Sequence, residues 1–194
     1  MTLRFVLATK NPHKVEEMTA ILGRVLPQAE IVDGLDWPEV DETGTTLEDN
    51  ARLKARSVSV ATGLLALADD TGLEVDALGG APGVHAARFA GADADHAANR
   101  ELLLRRLEGV DDRRARFRTV VILAHPNGSE TVGEGVLEGI ITSEERGHGG
   151  FGYDRVFAVE GRTLAEMTDD QKNALSHRCA ALEALAVALG EDTR

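Results

Sequence analysis

The chain has 194 residues, 43% of them hydrophobic, which is enough for one folded domain with its own core and excludes wholesale disorder. Its 33 acidic against 21 basic side chains give a net charge of −12, so the surface repels nucleic acid and acidic membranes, and any polyphosphate site has to gather its own cations. The single cysteine, Cys179, excludes an internal disulfide and a four-cysteine zinc site.

Turn signals are spread evenly and apolar segments alternate between strand-like and helix-like, so the pattern predicts one mixed α/β domain over 1–194. Residues 1–5 lack the apolar stretch of a secretory signal, and a cytoplasmic protein is the expectation. Arg4 to Thr9 reads as a strand. Asn11 then caps a helix with Pro12 at its first position, and Val15, Met18, Leu22 and Val25 follow at helical spacing. A second helix is expected from about Thr45, where Thr45 and Glu48 have capping-box spacing, with Ala51, Ala55, Val58 and Ala61 on one face.

Leu64 to Ala68 reads as a buried strand that ends in an Asp69-Asp70-Thr71-Gly72 turn, with Leu73 to Leu78 as a continuation. It and the run Val120 to Ala124 are the longest apolar stretches, far short of the roughly 18–20 residues of a membrane span. Gly79 to Gly83 is loop, and Asp95 to Leu107 a further helix. Phe117 to His125 and Thr131 to Val136 form a strand pair about an Asn127-Gly128 turn. Arg155 to Val159 is a short strand. A final helix is expected to run unbroken from Thr168, boxed by Gln171, to Leu189.

Five segments carry residue types suited to chemistry. Thr9-Lys10-Asn11-Pro12-His13-Lys14 joins a strand to a helix, where backbone amides, the helix dipole and two lysines favour an anion. It is not a Walker A loop, and a capped helix with two solvated lysines fits the same letters. Asp69 and Asp70 at a strand end can hold a hard cation such as Mg²⁺, or simply cap a turn. Asp41, Glu42, Asn50 and Lys54 offer an acid for a metal and a lysine for a phosphate, or an ordinary solvated helix start. Gly147 to Asp154 has four glycines in six residues, and Phe151 or Tyr153 can stack on a base. Lys172, Ser176, His177 and Arg178 supply donors suited to a purine oxygen or a phosphate.

Taken in order, Ala8-Thr9-x-Asn11-x-x-Lys14, Glu42-Thr43-Gly44, Glu48-x-Asn50-Ala51-x-x-Lys54-Ala55, Ala68-Asp69-Asp70-Thr71-Gly72-Leu73, Leu78-Gly79-Gly80-Ala81-Pro82-Gly83-Val84, Gly149-Gly150-Phe151-Gly152-Tyr153-Asp154 and Lys172-Asn173-Ala174-Leu175-Ser176-His177-Arg178 resemble the inosine triphosphate pyrophosphatase family nearly end to end. The resemblance implies an elongated mixed-sheet α/β fold of two lobes with a central active-site cleft, a homodimer, and Mg²⁺-dependent hydrolysis of a non-standard purine nucleoside triphosphate to monophosphate and pyrophosphate. Carried over residue by residue, it implies that Thr9, Lys10, Asn11, Pro12, His13 and Lys14 bind the phosphates. Asp70 would be proton acceptor and metal ligand, with Glu42, or else Asp41, as the second acid. Lys54 and Thr71 would contact the nucleotide, and Phe151, Gly152, Tyr153, Asp154, Lys172, His177 and Arg178 would line the base and sugar pocket.

Two segments depart from the family pattern. Thr71 stands where Ser is usual and keeps the hydroxyl, whereas His85-Ala86-Ala87-Arg88-Phe89 loses three hydroxyls, so that segment is left out of the expected site. A non-catalytic nucleotide-binding module is the rival reading, and Asp69, Asp70, Glu42 and the lysines argue against it.

Overall fold

The computed structural model describes residues 3–191. Among these residues eight strands and five α-helices follow in chain order: β1 (Arg4–Leu7), α1 (Pro12–Val25), β2 (Glu30–Ile31), α2 (Leu47–Thr62), β3 (Leu65–Val75), β4 (Pro82–Gly83), α3 (His96–Arg106), β5 (Arg114–Ala124), β6 (Glu130–Ile141), β7 (Phe157–Val159), β8 (Arg162–Thr163), α4 (Asp169–Leu175) and α5 (His177–Glu191). The strands form one sheet in the order β2-β1-β3-β5-β6-β7-β8, with β4 attached to β3. It is a mixed sheet. β1 runs parallel to β2 and β3, while β4 is antiparallel to β3 and β7 is antiparallel to β6 and β8.

The first helix forms where its caps predict. Asn11 Oδ1 accepts from the amides of His13 and Lys14, and Pro12 occupies the first turn, where its missing N–H costs nothing. The second helix starts one residue later than expected. Thr46, not Thr45, is the N-cap and takes the Asp49 amide at 3.1 Å, which places the buried Leu47 at the first helical position.

Two further expectations are corrected. Asp69-Asp70-Thr71-Gly72 is not a turn: β3 runs through it without a break, and the whole strand is buried or half-buried. The final helix is two. Ser176, with φ −70° and ψ 152°, is extended and separates α4 from α5, so His177 opens a new helix instead of continuing the old one.

Chain contacts divide the molecule into two compact units, and the division falls inside β3, β5 and β6. The first unit holds the chain up to Asp70, Thr119–Gly135, and the chain from His177 on. Its core packs α1 and α5 on the sheet through Phe5, Leu7, Met18, Ile21, Leu67, Val121, Leu182 and Leu185. The second unit holds Thr71–Arg118 and Val136–Ser176. Its core gathers Leu73, Leu103, Leu107, Phe117, Ile141, Tyr153, Phe157 and Leu164, with the Phe117 and Phe157 rings 4.6 Å apart and tilted by 48°.

In the first unit, α5 lies directly on the backbone of β6. A Cβ on Gly133 would meet the amide nitrogen of Leu185 at 2.7 Å, and one on Gly135 would meet the carbonyl carbon of Ala180 at 2.9 Å. Neither contact is relieved by a rotamer change, because the opposing atoms are backbone. Gly133→Ala is therefore expected to lower stability by about 1–3 kcal/mol, the usual range for overpacking, read as an earlier midpoint in urea with an unchanged slope.

Candidate active site

The adjacent aspartates of β3 occupy opposite environments. Successive side chains of a strand point to opposite faces, so Asp69 turns toward α1 and α5 while Asp70 turns toward α2. Asp69 is 2% exposed. Its Oδ1 accepts from Lys14 Nζ at 3.1 Å, and its Oδ2 from Nε and Nη2 of Arg178 at 3.2 and 3.0 Å. Arg178 Nη1 donates to Glu17 on α1. Burial alone would raise the Asp69 pKa, but Lys14, Arg178 and Lys54 outweigh it and hold the carboxyl far below the ordinary range.

Asp70 has a thinner set of partners. Lys54 Nζ donates to its Oδ1 at 3.3 Å and Asn50 Nδ2 to its Oδ2 at 3.2 Å. The same Lys54 Nζ donates to Glu42 Oε1 at 2.7 Å, so two carboxylates share one ammonium. Burial raises the Asp70 pKa, the neighbouring Glu42 adds to that, and Lys54, Lys14 and Asn50 only partly offset it. For Lys54 burial works downward, yet Asp70, Asp69 and Glu42 together hold its pKa above the ordinary value. Asn50 is fully buried and also accepts the Gly44 amide at 2.8 Å, tying the segment that carries Glu42 to Asp70.

The Thr9–Lys14 junction offers an anion less backbone than its position suggests. The amides of Thr9, Asn11, His13 and Lys14 already have acceptors at Leu7 O, Thr9 Oγ1 and Asn11 Oδ1. Positive charge comes instead from lysine side chains. Lys14 is held by Asp69, and the exposed Lys10 donates to the Trp37 carbonyl at 3.0 Å, with its ammonium 5.9 Å from the Trp37 ring centre. Pro12 and His13 are exposed in the first turn of α1, and Thr71 follows Asp70 along β3.

The glycine loop belongs to the second unit. Asp154 is buried, and its Oδ2 accepts from the Phe151 amide and from Lys172 Nζ, each at 2.8 Å. Lys172 Nζ also lies 4.7 Å from the centre of the Phe151 ring, a cation–π distance. Gly150, at φ 66°, is required twice over, since a Cβ there would strike the Asp154 carboxylate. Tyr153, expected as a stacking candidate, is instead a core side chain, 6% exposed with its hydroxyl donating to the Ala86 carbonyl at 2.8 Å. Phe151, half-buried, is left as the stacking candidate. His177 and Arg178, both buried, start α5 in the first unit.

Sequence reasoning passed over Glu17, the part Asp69 plays, and Arg100. Glu17 was within reach: Lys14 and Glu17 are three apart on α1 and share a face. Among the described residues, no group of three or more His, Cys, Asp or Glu is arranged to hold a metal ion.

Residues 5–188 match the model of the Ham1 family. The chain is 51% identical over 184 residues to a dITP/XTP pyrophosphatase of Symbiobacterium thermophilum, covering 92% of this chain and 91% of that one. It is 45% identical over 191 residues to a dITP/XTP pyrophosphatase of Bacillus licheniformis, covering 96% and 97%. Among solved structures, a HAM1 protein from Coxiella burnetii superposes with a TM-score of 0.86 at 42% identity, covering 97% of this chain and 99% of that one.

The opposite environments of the two aspartates predict opposite responses to neutralisation. Asp69, with its pKa depressed by folding, contributes stability at pH values above its unfolded pKa of about 3.9, and that contribution is lost as the pH falls toward the folded value. Asp70, with its pKa raised, costs stability once ionised, and the cost disappears as the pH falls through the unfolded value. At neutral pH without metal, Asp69→Asn leaves Arg178 and Lys14 short of a partner and is expected to lose about 3–5 kcal/mol in urea unfolding. Asp70→Asn is expected to be as stable as the parent or more so, because Lys54 keeps Glu42. Equal losses in both variants would contradict this division.

Proposed function

Because the chain belongs to the Ham1 family, we propose that it hydrolyses the non-standard purine nucleoside triphosphates ITP, dITP and XTP to the monophosphate and pyrophosphate, removing them from the nucleotide pool. The relatives' activity supports the reaction. At residue level the reading is carried by one observation: Glu42 and Asp70 meet on the single ammonium of Lys54.

Two oxygen-donor carboxylates gathered at one cationic point suit Mg²⁺, which keeps several waters and takes its remaining ligands from phosphates. Glu42 and Asp70 are the proposed ligands, with Asp41 the alternative to Glu42. When bound, the ion would neutralise charge on the phosphates as the bond between the α and β phosphates breaks. Asp70 orients the attacking water and takes its proton as the water oxygen bonds to the α-phosphorus. The bond to the bridging oxygen breaks and pyrophosphate leaves against Lys14 and Lys54, each already oriented by a carboxylate.

The remaining expected contacts are carried in the same proposal. Thr9 to His13 serve the phosphates, Thr71 contacts the nucleotide, and Phe151, Gly152 and Asp154 with Lys172 serve the base. His177 and Arg178 are carried as donors that favour a 6-oxo purine over adenine. A homodimer and a cytoplasmic location belong to the proposal too. Among the described residues no helix is long and apolar enough to cross a membrane.

Incubation of the pure protein with ITP and Mg²⁺ tests the reading. Pyrophosphate is the expected product, with ATP turned over far more slowly and EDTA abolishing activity. Orthophosphate would indicate a different phosphatase, and no turnover a binding module. Asp70→Asn is expected to cut kcat by about 10²-fold or more.

A further inference from the structure

Arg100 of α3 is a buried cation that no step above uses. The residue is 7% exposed. Its Nη1 donates to the carbonyl of Gly152 at 2.8 Å, and its Nε donates to Glu145 Oε1, also at 2.8 Å. The other oxygen of Glu145 lies 3.7 Å from Arg155 Nη1. All of these residues belong to the second unit.

Burying a guanidinium costs several kcal/mol unless it is paired and hydrogen-bonded, so an arginine here is a poor choice for packing alone. Its carbonyl partner sits between Phe151 and Tyr153. The loop is also held by its own side chains: the Asp154 carboxylate accepts from the Phe151 amide and Lys172, and the Tyr153 hydroxyl donates to the Ala86 carbonyl. Arg100 supplies the tie to α3. Glu145, partly exposed, sets the direction of the guanidinium through Nε and leaves Nη1 for the loop.

Building on the proposed function, we infer that Arg100 is a positioning residue for the base end of the nucleotide, holding the Gly152 peptide so that Phe151 and the Asp154–Lys172 pair are set before substrate arrives. It touches no substrate. An interaction that orders the base contacts serves ground state and transition state alike, so its loss appears in KM and leaves kcat nearly unchanged.

The test compares Arg100→Met, Arg100→Lys, Glu145→Ala and Phe117→Leu by ITP kinetics, inhibition by inorganic pyrophosphate, and thermal unfolding. Phe117→Leu loosens the same core away from the loop and controls for general softening. Arg100→Met is expected to raise KM for ITP about ten-fold, as for a lost hydrogen bond to a charged donor, with kcat within about two-fold. Lysine at this position should recover part of the KM, and Phe117→Leu should lower Tm with KM unchanged. Inhibition by pyrophosphate, which has no base, should be the same in Arg100→Met as in the parent.

An unchanged KM in Arg100→Met overturns the inference, as does an equal rise in Phe117→Leu or equally weakened pyrophosphate inhibition. If Arg100→Met does not fold, Glu145→Ala decides: a KM raised by about two- to five-fold at unchanged Tm supports the inference, and an unaltered KM overturns it. A parent protein that releases no pyrophosphate from ITP defeats the functional reading itself, and this inference with it. An active parent with an indifferent Arg100→Met defeats the inference alone.

Discussion

A buried carboxylate held by two cations organises the first unit. Asp69 accepts from Lys14 on α1 and from Arg178 on α5, and Glu17 on α1 takes the remaining side of the guanidinium. None of these charges tolerates loss of its partner at this depth, so two helices and a strand are locked in one arrangement. The chain carries a net charge of −12 and is assigned a polyanionic substrate. It meets that conflict by using acids to collect and aim its cations: the buried Asp69 holds Lys14, and the exposed Glu42 with the buried Asp70 holds Lys54.

Strand geometry gives consecutive aspartates different chemistry. Asp69 faces a surplus of positive charge, stays ionised and is fixed. Asp70 faces one shared ammonium and a competing carboxylate, so its proton affinity rises. No loop is needed to separate a structural acid from the proposed proton acceptor; the pleat of β3 does it in one residue. Placing Asp70 within a strand that is buried or half-buried along its length also gives it a rigid mount, which a turn would not.

This is also where the sequence was hardest to read. Asp-Asp-Thr-Gly has the letters of a turn, and nothing local shows that the cations satisfying it lie as far away as Arg178, 109 positions along the chain. The first helix was legible because its cap is local: Asn11, Pro12 and the helical spacing after them suffice. The break at Ser176 was not, since neither Gly nor Pro marks it and the apolar spacing resumes on the far side. The lysines and acids of the candidate site were legible as motifs. Tyr153 was misassigned because a tyrosine in a glycine loop looks available, whereas the fold turns its ring into the second core. Arg100 escaped notice because its partners lie 45 and 52 positions away.

Where β6 passes beneath α5, Gly133 and Gly135 present bare backbone to the helix, and the residue between them is Glu134, exposed on the other face. Glycine-rich stretches of a strand specify their pairing register weakly by themselves. Here a shift by a single position would drive the Glu134 carboxylate into the helix backbone. The intervening acid thus acts as a stop, and the pairing frame of β6 is set by what the helix refuses to admit.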